Sequence, residues 1–377
     1  MMALRTNSAP LYLDKGAQPR NVLKDKWWFA PLAALYKLGV RFRHRAYDMG
    51  VIPSKPGALP SVVLGNVTVG GTGKTPHLKA LLQQLMDQSK ETRWAVLSRG
   101  YGRKSKGFLR VDREGTPEEF GDEPLEVARR YPGIPVFVCE DRLNGLEEIA
   151  KTGLADAVML DDGLQHRRLR PTVGIMLVDT TQPVDRDHFL PRGRLRDLPS
   201  RVAESDAVIL TRCPAPMTKG DLRLWRHRLG LKAHQHLLHT GARPDGLRAM
   251  ATKRYAAWPS SCVAVSGIAN PMQFEDHLSK NCKVAQHFSY ADHYAFAAAD
   301  LSEWKAALQA TPASGVKPEA IITTEKDAER IRPLAEAAEL PILVVGLQIQ
   351  WWDEEALSDL FTTLKNRVEA SSSDSDI

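Results

Sequence analysis

The stretch SVVLGNVTVGGTGKTPHLKALLQQLM, residues 61–86, decides the fold. It passes from an apolar run through a glycine-rich turn into a segment that reads as a helix. A turn of this kind exposes backbone N–H groups at a helix N-terminus, where they bind phosphate oxygens. Thr68, Val69, Gly70, Gly71, Thr72, Gly73, Lys74 and Thr75 are therefore the candidate nucleotide-binding residues. Lys74 is expected to reach the β- and γ-phosphates of ATP, and the Thr75 hydroxyl to ligate Mg2+. One position departs from the common spacing: the usual pattern opens on glycine, and Thr68 stands there. A glycine-rich strand–helix turn with a chance lysine would share part of this pattern. The strand before and the helix after favour the phosphate reading.

Outward from this turn, short apolar runs alternate with helical stretches. Candidate strands are WAVLS (94–98), IPVFV (134–138), ADAVML (155–160), VGIMLVD (173–179) and DAVILT (206–211). EPLEVARRY and RLNGLEEIAKTG read as helices between them. Such alternation implies a parallel sheet covered by helices on both faces, an α/β fold of the P-loop NTPase type. A second set, CVAVSGI, KVAQHFS, AIITTEKD and PILVVG, begins near residue 250 and predicts a smaller α/β unit. The expected division is an N-terminal segment over 1–48, a phosphate-loop domain over 49–245, and a C-terminal α/β domain over 246–377. HTGARPDGLRAMATKRY (239–255) reads as a linker or hairpin. The tail EASSSDSDI is expected to be disordered.

A chain of 377 residues exceeds one ordinary core, which supports two domains. Its 43% apolar and 25% charged residues suit a soluble globular protein. The net charge of +6 suits a nucleic acid, an anionic membrane or a phosphorylated substrate. No helix-turn-helix, zinc or RNP signature supports a nucleic-acid partner. Cys139, Cys213, Cys262 and Cys282 have neither metal-ligand nor CxxC spacing and read as reduced, structural thiols. No small-residue cleavage site follows the first apolar run, so the chain is expected to stay in the cytoplasm. That run, Trp27 to Val40, is too short to span a bilayer, which takes roughly 20 residues. On a helical projection Trp28, Leu32, Leu35 and Phe42 share one face, and Lys37, Arg41 and His44 lie opposite. This pattern fits a helix in a membrane interface, and equally an amphipathic helix packed on its own domain.

Several side chains could join the phosphate loop. Asp161 and Asp162 end the strand ADAVML, at the sheet edge where such folds bind ligands, and are candidate Mg2+ holders or simple turn caps. Asp122 and Glu123 in GDEPLEVARR fit either a helix N-cap or a carboxylate that accepts a proton from an attacking hydroxyl. QHRRLRP places Gln165, His166, Arg167, Arg168 and Arg170 on one loop. PRGRLRD adds Arg192, Arg194, Arg196 and Asp197, and LSRGYGR adds Arg99, Tyr101 and Arg103. Arginines on glycine-flanked loops suit phosphate clamping. SYADHYAF sets Asp292, His293 and Tyr294 among aromatic residues, a candidate interdomain site.

Taken in order, GNVTVGGTGKTP, LSRGYGR, GDEP, DDGLQHR, PRGRLRD, SGIANP, YADHYAF and TTEKDAER resemble the tetraacyldisaccharide 4'-kinase family. The resemblance spans nearly the whole chain, and the Thr68 form of the loop is similar to the family's own. It implies an ATP- and Mg2+-dependent kinase in lipid A biosynthesis, a peripheral protein of the cytoplasmic face of the bacterial inner membrane. Its lipid substrate would be an acylated glucosamine disaccharide 1-phosphate, phosphorylated at the 4'-hydroxyl. The N-terminal helix would lie toward the anionic membrane, and the chain is expected to act as a monomer. By resemblance Asp122 is the catalytic base, His293 its partner, and Asp161 and Asp162 the metal and nucleotide carboxylates. Lys74, Arg142, Arg196, Gln165 and His166 are similar to residues lining the family's active site. Leu164 stands where the family often has Phe, and Asp197 where it often has Glu, which leaves the role of Asp197 open. The rival reading of the phosphate loop is a membrane-recruited switch or partition ATPase that hydrolyses ATP with water.

Overall fold

The computed structural model describes residues 27–88, 91–252, 254–268, 271–292, 294–310, 316–334, 337 and 339–373. A 3-10 turn (Trp27–Phe29) leads into α1 (Ala30–Asp48). The first unit continues with β1 (Lys55–Pro56), β2 (Ser61–Gly65), α2 (Lys74–Gln88), β3 (Trp94–Ser98) and β4 (Leu109–Arg110). Then come α3 (Pro117–Phe120), α4 (Asp122–Arg130), β5 (Val136–Val138), α5 (Arg142–Thr152) and β6 (Ala157–Leu160). β7 (Leu169–Arg170), β8 (Val173–Asp179), β9 (Ala207–Thr211) and α6 (Lys219–Leu229) complete it. β10 (His236–Ala249) crosses to the second unit, which holds β11 (Tyr255–Ala256), β12 (Ser261–Ser266), α7 (Pro271–Ser279) and β13 (Lys283–Ser289). It ends with α8 (Ala298–Gln309), β14 (Ala320–Thr324), α9 (Glu325–Ile331), β15 (Ile342–Trp351) and α10 (Glu354–Ser373).

Strands β2, β3, β6, β8 and β9 are buried along their whole length, as apolar runs covered on both faces must be. They pair in parallel in the order β9-β8-β2-β6-β3-β5, as the alternating pattern predicts. β2 lies between β8 and β6, so the chain leaves the middle of the sheet where its strand order changes direction. In such sheets ligands bind at this point, beyond the C-terminal strand ends.

Residues 239–255, read as a linker or hairpin, mostly continue a strand. The first part of β10 pairs in parallel with β9, and its later part pairs antiparallel with β15. One sheet therefore runs through both units, and the expected boundary at 245/246 falls inside a strand. Tyr255–Ala256 folds back on β10, so a hairpin does close the segment.

The C-terminal end departs from the expectation more strongly. α10 leaves the second unit and packs Leu357, Leu360, Phe361, Leu364 and Val368 into the core beneath β2 and α2. The second unit keeps its own core around the fully buried Trp304. The tail expected to be disordered from residue 369 continues this helix to Ser373, and residues 374–377 lie outside the described residues.

Candidate active site

The phosphate loop occupies residues 66–73 between β2 and α2. Gly70 and Gly73 take φ values of 97° and 86°, which a side chain would strain. Thr68 makes no such demand. It forms an isolated antiparallel bridge with Leu195, and Val69 N–H donates to the Arg194 carbonyl at 2.8 Å. The position that usually needs glycine is here an extended residue, braced by the segment that carries Arg194 and Arg196.

Asn66, buried at the end of β2, organises the loop. Its amide donates to the Thr68 and Thr72 hydroxyls at 3.2 and 2.9 Å. Its Oδ1 accepts from Lys74 Nζ at 3.3 Å and from Arg196 at 2.6 Å, and its carbonyl accepts from Gln165 Nε2 at 2.7 Å. Sequence reasoning missed Asn66 as a site residue. The available signal was an amide closing an otherwise apolar strand.

The paired aspartates follow β6 on the neighbouring strand end. Asp162 takes a positive φ of 51°, a costly conformation held by its surroundings. Its carboxylate lies 3.7 Å from Lys74 Nζ and accepts a two-pronged contact from Arg196, one prong at 3.0 Å. Burial alone would raise the Asp162 pKa, but Lys74, Arg196 and Arg142 together outweigh it and hold it below the carboxylate range. Asp161 goes the other way. Burial, with Glu123 and Asp162 adding repulsion, pushes it up to about 7 against Lys74 and Arg142. Its Oδ1 is buried without a hydrogen-bond partner.

That orphaned oxygen suits a hard cation. The described residues contain no cluster of three or more metal-ligating side chains. Mg2+ needs none, because it is usually held by one or two protein oxygens plus phosphates and water. Thr75, buried in the first turn of α2, and the two aspartates fit this donor set.

Arg142 opens α5 behind the N-cap Asp141. It is buried and donates to the Cys139 and Glu140 carbonyls, and to the Asp162 carbonyl at 3.4 Å. It thus braces the turn that presents the aspartates. His166 Nε2 lies 3.6 Å from Asp141, and burial, reinforced by Arg142, lowers its pKa. Several loop arginines are committed elsewhere. Arg103 pairs with Glu140, Arg194 with Asp187, and Arg167 with Asp48, so a shared clamp of three loops does not form from them.

Asp122 is the first residue of α4, and Gly121 is the N-cap, so the capping reading of Asp122 does not hold. Its Oδ1 accepts from the Glu123 N–H at 3.0 Å, and its Oδ2 lies 3.4 Å from Arg330 Nε of the second unit. Gly121 packs against the RGYGR loop: a Cβ there would meet Gly100 Cα at 3.2 Å. His293 lies outside the described residues.

α1 is fastened beside this site along the side that carries Ala33 and His44. His44, which the projection sets opposite the tryptophans, is buried, and its Nε2 donates to Asp197 at 2.5 Å while Nδ1 accepts from Arg167 at 2.9 Å. The Tyr36 hydroxyl donates to the Arg196 carbonyl, and Arg43 to the Gln165 carbonyl. Asp197 therefore anchors the helix, which answers its open role. The opposite face leaves Trp27, Trp28, Leu32, Leu35, Leu38 and Phe42 exposed. Among the described residues no helix is long and apolar enough to cross a membrane.

Comparison with known proteins agrees with this architecture. The family model for tetraacyldisaccharide-1-P 4'-kinase (LpxK) matches residues 25–366. A tetraacyldisaccharide 4'-kinase of Parabacteroides distasonis is 35% identical over 324 residues, covering 83% of this chain and 86% of that protein. One from Cytophaga hutchinsonii is 36% identical over 319 residues, covering 81% and 85%. The crystal structure of LpxK from Aquifex aeolicus in complex with ATP superposes with a TM-score of 0.69 at 26% identity, covering 89% of this chain and 98% of that one. With its phosphate loop, paired aspartates and GDEP helix in one continuous fold matched over nearly its whole length, the chain belongs to the tetraacyldisaccharide-1-P 4'-kinase family.

Proposed function

We propose that this chain transfers the γ-phosphoryl group of ATP to the 4'-hydroxyl of an acylated glucosamine disaccharide 1-phosphate. The observation that carries the reading is the phosphate loop itself. Lys74 opens α2 between Asn66 and Asp162, at the edge where β2 and β6 end. The ATP phosphates lie along residues 68–75, met by the loop's backbone N–H groups and the positive end of α2. Thr75, Asp161 and Asp162 would hold Mg2+, which would supply positive charge to offset that of the nucleotide phosphates. The 4'-oxygen forms a bond to the γ-phosphorus, the bond to the β-phosphate oxygen breaks, and ADP leaves. Asp122 accepts the hydroxyl proton, with His293 as the partner the family resemblance assigns. Lys74 and Arg196 stabilise charge on the phosphoryl group, so the rate comes from positioning and electrostatics.

The lipid enters beside α1. The exposed Trp27, Trp28, Leu32, Leu35 and Phe42 support burial of this face at the cytoplasmic surface of the inner membrane. Lys37, Arg41 and the net charge of +6 support an anionic surface and substrate. The switch-ATPase alternative is not favoured, because the family match is to a kinase. The test is transfer from γ-labelled ATP to detergent-solubilised tetraacyl disaccharide 1-phosphate, with water and a de-acylated sugar as control acceptors. Label should move to the lipid, and Lys74→Ala should lower this by about 10²-fold or more without unfolding the chain. ATP hydrolysis with no labelled lipid would overturn the reading.

A further inference from the structure

The stretch TTEKDAER (323–330) belongs to the second unit, yet four of its side chains reach the first. Thr324 caps α9 by accepting from the Asp327 N–H at 3.1 Å. Glu325 pairs with Lys79 of α2, which also donates to Glu126 of α4 at 2.5 Å. Lys326 lies 3.9 Å from Glu123, and Glu329 pairs with Arg129. Arg330 lies 3.4 Å from Asp122. The signs are complementary across the two helices: Asp122, Glu123 and Arg129 on α4 face Arg330, Lys326 and Glu329 on α9. The Asp122–Arg330 and Arg129–Glu329 pairs are largely buried, so a shifted register would leave their charges out of water and unmatched.

Arg330 is itself fixed in place. Its guanidinium lies 3.2 Å from Asp327 and donates to the Tyr294 carbonyl at 3.1 Å. Asp327 accepts from the Gly267 N–H at 3.0 Å. A cation held this firmly at the edge of the second unit meets the carboxylate that opens α4. We propose that α9 is a charge interlock through which the second unit orients the active-site carboxylate, with Arg330 as the positioning residue for Asp122. The inference rests on Asp122 being the base assigned above. Arg330 touches no reacting atom; it limits the orientations open to Asp122, and small misplacements of a reacting group are costly.

A double-mutant cycle on the full chain, using the lipid transfer assay in detergent micelles, tests this. Arg330→Met should lower kcat by about 10- to 100-fold. The KM for ATP should stay within about twofold, because the phosphate loop is untouched. Arg330→Lys, which keeps the charge, should lie closer to wild type. Added to Asp122→Ala, Arg330→Met should cost nothing further, a non-additivity that general loss of stability would not produce. If the Met variant does not fold, the cycle is run with Arg330→Lys. Losses that multiply, or an unchanged kcat in Arg330→Met, overturn the inference while the base assignment stands. Full turnover in Asp122→Ala overturns the base assignment and this inference with it.

Discussion

Asp161 and Asp162 are adjacent in sequence and opposite in character. Asp162 faces Lys74 and Arg196, whereas Asp161 is buried with Glu123 near it and one oxygen unmatched. This contrast has a measurable consequence. The Asp161 pKa in the folded protein, about 7, lies above its ordinary value of 3.8. The linked stability is thus fully present below the unfolded pKa and lost as pH rises through the folded one. Ligand-free wild type should lose thermal stability relative to Asp161→Asn between about pH 4 and 7, and Mg2+ with ATP should narrow the gap. Parallel melting curves of the two proteins across that range would show that Asp161 is not held this way. At the same scale, residue type and spacing pointed to Lys74, Asp162 and Arg196, which the fold brings together. Asn66 carries no such signal, because its importance comes from meeting three chain segments at once.

Among the elements, α1 shows how an amphipathic pattern can be read correctly and still leave its use open. The projection separated the two faces, and either could have faced the domain. The structure turns the side that carries Ala33 and His44 inward, and Tyr36 and Arg43 find partners on the loops that follow β6 and β8. The apolar face is then left outward. Leu35→Glu together with Phe42→Glu should weaken co-sedimentation with anionic vesicles by at least about 10-fold and leave the thermal midpoint unchanged. Equal sedimentation of both proteins would remove the membrane role from this face. β8 was legible residue for residue, since VGIMLVD is apolar up to its closing Asp179 and buried along its whole length. α9 was not: TTEKD was open to capping or nucleotide contact, and only its neighbours show that Thr324 caps while the charged side chains pair across units.

For the molecule as a whole, β10 and α10 tie the two units together. β10 gives each unit part of one strand, and α10 returns apolar side chains to the first core. The fully buried Leu360 should therefore matter to the first unit although it follows the second in sequence. Leu360→Ala should cost about 2–5 kcal/mol in denaturant unfolding, through lost burial and the cavity left behind. A change within about 0.5 kcal/mol, typical of a surface site, would mean that α10 does not share that core.

By itself the sequence determined the phosphate loop, the strands that carry it and the α/β class. These follow from apolar period, glycine placement and helix signals, which act over a few residues. The tertiary structure decided which charges meet. His44 and Asp197 are 153 residues apart in the chain, and Lys79 and Glu325 are 246 apart. Such pairs depend on the path of the whole chain, and burial lets each group accept few alternatives. The same physics turned Arg103 and Arg167 away from a phosphate clamp and brought Arg330 to Asp122. Local pattern set what each segment becomes, and long-range packing set which side chains work together.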